Sequence, residues 1–139
     1  MRDNLGPGRC PQCFLKHALC LCALVPRVET RVRVVLLRHA IERWKRTNTG
    51  RLASLALPNS ELHDRGAAGA AEPDLGLDQE GTWVLYPDGT PAPADAPPPR
   101  RLVVLDGSWR QVRRMWVRLP ALRRLPCLAL PAPAAAPGR

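Results

Sequence analysis

The apolar run Leu102-Val103-Val104-Leu105 passes directly into Asp106-Gly107-Ser108 and then into a helix-patterned segment that starts at Trp109. An unbroken run rich in β-branched side chains suits a strand covered on both faces, the condition inside a parallel sheet. Asp106-Gly107 is a turn pair, and Ser108 with Gln111 three residues on has the capping-box pattern that opens a helix. Trp109, Val112, Met115 or Trp116, and Leu119 fall on one helical face, while Arg110, Arg113, Arg114 and Arg118 share the opposite one. The unit is strand, tight turn, basic helix. It predicts the Asp106 carboxylate at the carboxyl end of a buried strand, where open α/β sheets bind ligands. A purely structural reading stands beside this one: Asp-Gly only a turn, Ser108 and Gln111 only caps, the tryptophans only core.

A second strand, Arg33-Val34-Val35-Leu36-Leu37, also ends in polar residues, among them Arg38, His39, Glu42 and Lys45. Thr49 or Asn48 is placed to cap a short helix over 51–57, with Leu52, Leu55 and Ala56 suited to burial. The turn Thr47-Asn48-Thr49-Gly50 that opens this helix offers backbone amides to an anion or carboxylate, though a capped loop explains it equally well. Leu57-Pro58-Asn59-Ser60 closes the unit. Residues 66–81 read as a surface connection with at most one helical turn, and Trp83-Val84-Leu85-Tyr86 as a short strand. Five prolines within 91–99 predict a stiff, extended loop, and Cys127-Leu128-Ala129-Leu130 a final strand.

Near the N-terminus four thiols occupy thirteen positions, Cys10-Pro11-Gln12-Cys13 and Cys20-Leu21-Cys22. Two close pairs of soft ligands can surround one tetrahedral zinc ion with almost no core to help them. Two disulfides are the competing arrangement, and a segment lacking the features of a secretion signal argues against it. His17 lies between the pairs. Cys127, inside an apolar run, reads as a core thiol.

With 139 residues the chain accommodates one modest core, and 21 Lys and Arg against 12 Asp and Glu leave a formal charge of +9. The excess is mostly arginine, whose planar guanidinium donates in parallel to phosphate oxygens, so nucleic acid is the leading class of partner. No apolar run approaches the length of a membrane span, so no membrane partner is expected, and a cytoplasmic location follows from the same reading. The division expected is a cysteine-rich zinc-binding element over 1–24, an α/β domain over 25–131 and a disordered Pro/Ala tail over 132–139.

Taken together, the cysteine spacing, His39-x-x-Glu42, Thr47-Asn48-Thr49-Gly50-Arg51-Leu52, Leu57-Pro58-Asn59-Ser60, Tyr86-Pro87 and Leu105-Asp106-Gly107-Ser108-Trp109-x-Gln111-x-Arg113-Arg114-Met115 resemble the DTW-domain family. The resemblance runs from Cys10 to about Pro131, with Asp106, Ser108 and Trp109 standing for the run that names the family. It implies a SPOUT-like, mainly parallel α/β sheet with helices, preceded by the four-cysteine zinc-ribbon-like element, and a homodimer as one expected state. It also implies a tRNA-uridine aminocarboxypropyltransferase: S-adenosylmethionine donates its 3-amino-3-carboxypropyl group to N3 of a tRNA uridine.

The residues that carry over are Asp106 and Ser108 as catalytic, with Asn48, Thr49, Gly50, Leu105, Asp106, Trp109 and Gln111 at the donor. Arg110, Arg113, Arg114 and Arg118 fall on the RNA, and Cys10, Cys13, Cys20 and Cys22 on the metal. Two positions depart from the family pattern. Lys45 stands where an Arg is usual, and the chain ends at Arg139 without the Tyr-Arg-Leu-Arg-like run and terminal helix, so a C-terminally truncated member is one expectation. A non-catalytic zinc-ribbon RNA-binding module is the alternative from another class, and a SPOUT-type methyltransferase a third.

Overall fold

The computed structural model describes residues 5–131; the tail expected over 132–139 lies outside them. In chain order the elements are β1 (Arg33–His39), α1 (Thr49–Ala56), β2 (Ser60–Arg65), β3 (Thr82–Leu85), β4 (Arg101–Asp106), α2 (Trp109–Arg118), α3 (Pro120–Arg123) and β5 (Cys127–Leu128). The strands form one sheet in the order β2-β1-β4-β3-β5, and every neighbouring pair is parallel. The mainly parallel α/β sheet behind a four-cysteine element is thus present as expected.

The apolar runs occupy the central strands because only there are both faces covered. Val35 and Leu37 of β1, Val103 of β4 and Val84 of β3 form one buried layer with Val112 and Met115 of α2 and Leu122 of α3. Leu36 points to the opposite face and is also buried. Cys127 lies in the core as expected, and burial pushes its thiol above the ordinary value. Tyr86 stacks on Trp116 with ring centroids 4.1 Å apart.

Four details depart from the sequence reading. Ser60–Arg65 is a strand, not the mere close of a turn; its polar composition hides it, and it fits an edge, where charged side chains deter further pairing. Residues 66–81 form no helix, and Leu75 within them is buried against the core. Pro120–Arg123 is a short helix where a turn-rich link is expected, with proline in its first turn, where the missing N–H has no partner to lose. The last strand is confined to Cys127–Leu128. Its outer side is bonded to the start of the proline-rich segment, Cys127 N to Thr90 O at 2.8 Å and Ala92 N to Cys127 O at 3.1 Å, so this sheet edge is covered.

Candidate active site and metal cluster

β1 and β4 are hydrogen-bonded neighbours with Arg38 opposite Asp106, and their onward connections diverge. From β1 the chain runs through α1 to β2 on one side, and from β4 through α2 and α3 to β5 on the other. The carboxyl ends of this pair are therefore a topological switch point, the place where open α/β sheets generally bind ligands.

Asn48 fills that point. Its side-chain Oδ1 caps α1 by accepting from Arg51 N at 2.9 Å and also accepts from Arg38 Nη1 at 3.1 Å. Its Nδ2 donates to Asp106 Oδ2 at 2.6 Å. Arg38 is held in turn by Asp64 of β2, Nε to Oδ1 at 2.6 Å and Nη2 to Oδ2 at 3.1 Å. The forked pair fixes the guanidinium plane, so three strand ends are tied into one polar network. Gly50 is required by the same approach: a Cβ there would lie 2.8 Å from Asp106 Cγ and overlap its carboxylate oxygen. The expected meeting of the Asn48-Thr49-Gly50 bend with the acidic elbow is present. Arg38, Asp64 and Arg51 belong to it as well, and the sequence reading assigned them nothing.

The second loop begins as anticipated. Ser108 Oγ accepts from Gln111 N at 3.4 Å and Gln111 Oε1 accepts from Ser108 N at 2.6 Å, completing the capping box. Gln111 also lies near Glu42, whose carboxyl is held below its ordinary value first by Lys45 and also by Gln111 and His39. Lys45, the departure from the family's arginine, donates to Glu42 Oε1 at 2.6 Å. Trp109 differs from the core reading: it is 76% exposed. As the first helical residue it lies beyond the sheet, so the helical face that buries Val112 and Met115 does not reach the core at this end.

Instead Trp109 borders a cavity of about 380 Å³ with Leu85, Tyr86, Val104, Leu105 and Gly107. Predominantly apolar concavities of this size at the ends of parallel strands suit small-molecule ligands. Of the donor residues expected from sequence, Leu105 and Trp109 line it, whereas Asn48, Asp106 and Gln111 lie in the neighbouring polar contacts. Trp109 and Tyr86 also border a second concavity of about 620 Å³, shared with Arg110, Arg113 and Trp116. Arg110, Arg113, Arg114 and Arg118 are all exposed, and among the described residues none forms an ion pair.

The cysteine element forms a separate cluster. Cys10, Cys13, Cys20 and Cys22 bring their sulfurs within 4.8 Å of one another, and all four are free thiols in this structure, the arrangement a shared metal ion needs. Sγ–Sγ separations of 3.6 Å for Cys10–Cys22 and 3.7 Å for Cys13–Cys20 approach the edge of about 3.8 Å that a regular tetrahedron has at zinc–sulfur distances of about 2.3 Å. Burial opposes ionisation of Cys13, yet the Leu15 and Leu21 amides and the neighbouring thiols outweigh it and bring the group to about 6. Burial and the adjacent Cys10, Cys20 and Cys13 push Cys22 up to about 12. Four sulfurs gathered this closely, in two pairs, fit a cation that displaces their protons. His17 is exposed in a 3-10 turn and is not part of the cluster.

Fold and site define a parallel α/β protein with a polar side-chain network at its switch point, an apolar cavity at the neighbouring strand ends and a cluster of four thiols that could hold a metal ion. The DTW domain matches residues 8–136, and the chain belongs to that family. It is 26% identical over 137 residues to tRNA-uridine aminocarboxypropyltransferase 2 of Drosophila melanogaster, covering 85% of this chain and 52% of that protein. It is also 26% identical over 134 residues to tRNA-uridine aminocarboxypropyltransferase A of Arabidopsis thaliana, covering 76% of this chain and 49% of the relative. The chain thus spans about half the length of these curated relatives. No solved structure matches it significantly. Among the described residues, no helix is long and apolar enough to cross a membrane.

Proposed function

We propose that this chain carries the donor site and part of the RNA surface of an S-adenosylmethionine-dependent tRNA-uridine aminocarboxypropyltransferase. The observation that carries this reading is the Asn48–Asp106 hydrogen bond beside an apolar cavity at the switch point of a DTW domain. The cavity accommodates the adenosine, with Trp109 and Leu105 against the base. The amides of Thr49 and Gly50, which lack intrahelical acceptors at the start of α1, face the donor carboxylate. Asn48, already bonded on both sides, orients Asp106.

The donor's sulfonium already activates the transferred carbon, so the protein's task is chiefly alignment. Uridine N3 forms the new bond to the terminal carbon of the aminocarboxypropyl group, the carbon–sulfur bond breaks with its electron pair going to sulfur, and methylthioadenosine leaves. Asp106 Oδ1 accepts the N3 proton or orders the reacting atoms around it. Ser108 keeps the elbow in shape through the cap. Arg110, Arg113, Arg114 and Arg118 follow the tRNA phosphates. Zinc held by the four cysteines supplies structure in this reading.

Mass spectrometry of tRNA incubated with the protein and S-adenosylmethionine tests the reading. A gain of one aminocarboxypropyl group on uridine, with release of methylthioadenosine, supports it. Addition of a methyl group would identify a methyltransferase, and tRNA binding with no affinity for the donor would identify a non-catalytic zinc-ribbon RNA-binding module.

A further inference from the structure

One side chain joins the cysteine cluster to the switch point. Phe14 directly follows the ligand Cys13 and has φ +64°, a left-handed conformation unusual outside glycine. This backbone turns the ring away from the cluster and onto the α/β domain. There it stacks on Trp44 with centroids 5.7 Å apart, and the Arg51 guanidinium lies 3.6 Å from its centroid. Arg51 is buried and grips the loop that leads into α1, donating Nη1 to Lys45 O at 3.0 Å and Nη2 to Arg43 O. Its own amide is the one capped by Asn48 Oδ1. The path therefore runs without a gap from Cys13 through Phe14, Arg51 and Asn48 to Asp106.

We propose that the metal state of the cysteine cluster is transmitted along this path: Phe14 and Arg51 are positioning residues that hold residues 43–48, and with them Asn48 and Asp106, in the arrangement the site requires. So short a cysteine element has no core of its own, and a metal held by its four thiols would add the main constraint on its backbone. Once the metal is removed, the left-handed turn at Phe14 is left to a few local hydrogen bonds, Phe14 N to Cys10 O at 2.9 Å, Cys10 N to Leu15 O at 2.8 Å and Arg9 Nη1 to Phe14 O at 3.3 Å, which are too few to hold so small an element rigidly. The ring then leaves Arg51, and a buried guanidinium that loses its aromatic partner no longer clamps both carbonyls. The importance of this for the donor rests on the function proposed above, whereas the coupling itself does not.

Backbone hydrogen exchange over residues 43–51, followed by mass spectrometry, separates the two. The comparison is made on zinc-loaded wild type, Phe14→Ala and Phe14→Tyr, each with and without a chelator, with zinc content measured in parallel. Phe14→Ala is expected to retain zinc and to exchange this segment about tenfold faster, with β3 and β4 unchanged, as local opening permits. Phe14→Tyr restores slow exchange. Chelation accelerates the segment in wild type and adds nothing further there in Phe14→Ala.

Slow exchange persisting after chelation, or in Phe14→Ala, would overturn the proposal. Should Phe14→Ala unfold globally, Arg51→Lys gives the same test, because an ammonium cannot hold both carbonyls in the geometry of the guanidinium. Calorimetry with S-adenosylmethionine completes the experiment: weaker affinity in Phe14→Ala supports both readings. Faster exchange with unchanged affinity would leave the coupling standing and remove the donor assignment.

Discussion

Asn48 and Asp106 are 58 positions apart in the chain, and their side chains meet in a 2.6 Å hydrogen bond. The contact exists because β1 and β4 are parallel neighbours, so the segments that leave their carboxyl ends start side by side. Among the described residues Asp106 Oδ1 accepts no hydrogen bond, so one carboxylate oxygen is fixed while the other is left for a ligand or substrate.

Asp106→Asn keeps the side-chain shape and removes the negative charge. Transfer to tRNA is expected to fall by about a hundredfold or more, the scale of losing a positioned proton acceptor, with thermal stability nearly unchanged. Single-turnover assays beside a melting curve check this. Normal transfer rates in the variant would exclude Asp106 from the chemistry.

Gly50→Ala tests the close approach without touching a polar group. The backbone at Gly50 is not left-handed, so alanine favours the helix by up to about 1 kcal/mol. Its methyl group, however, displaces the Asp106 carboxylate from Asn48. The expected outcome is a folded protein destabilised by no more than about 2 kcal/mol, the helical gain partly offsetting the lost Asn48–Asp106 hydrogen bond, with strongly reduced transfer, read from urea unfolding and the tRNA mass assay together.

Glu61 gives a prediction in pH. Hydrogen bonds from Arg33 and His63 hold its carboxyl at about 2, against an ordinary value of 4.5. Because the folded value is depressed, the associated stability is fully present above pH 4.5 and is lost as pH falls toward 2. Glu61→Gln is expected to lower the urea midpoint at neutral pH and to flatten its decline across this window. A parallel decline in both proteins would contradict the assignment.

The arginine face of α2 predicts a salt effect. Replacing Arg113 or Arg114 by Gln is expected to weaken tRNA binding and to reduce the slope of log affinity against log salt by about 1 for each phosphate no longer neutralised. Titrations at several salt concentrations read this directly. An unchanged slope would place the RNA elsewhere.

Much of this arrangement is legible in the chain because it is local. The capping box at Ser108, the buried runs of β1 and β4 and the cysteine spacing are each encoded within a few residues. β2 escapes notice because Ser-Glu-Leu-His-Asp-Arg carries no apolar alternation, and only pairing with β1 identifies it as a strand. Trp109 follows the helical period of Val112 and Met115 yet lies outside the core, since periodicity assigns a face and not a distance from the sheet. The roles of Arg38 and Arg51 depend on Asp64 and Phe14, partners brought close only by the tertiary fold.

On this account the donor occupies the switch point at the ends of β1 and β4 and the apolar cavity at the neighbouring strand ends. Titrating the isotope-labelled 15.3 kDa protein with S-adenosylmethionine and following backbone amide resonances by NMR tests this most directly. Saturable shifts at Thr49, Gly50, Gly107 and Trp109 are predicted, with the strands' far ends near Arg33 and Arg101 unaffected. Binding that leaves those four amides unmoved, or no binding by the zinc-loaded protein, would contradict it.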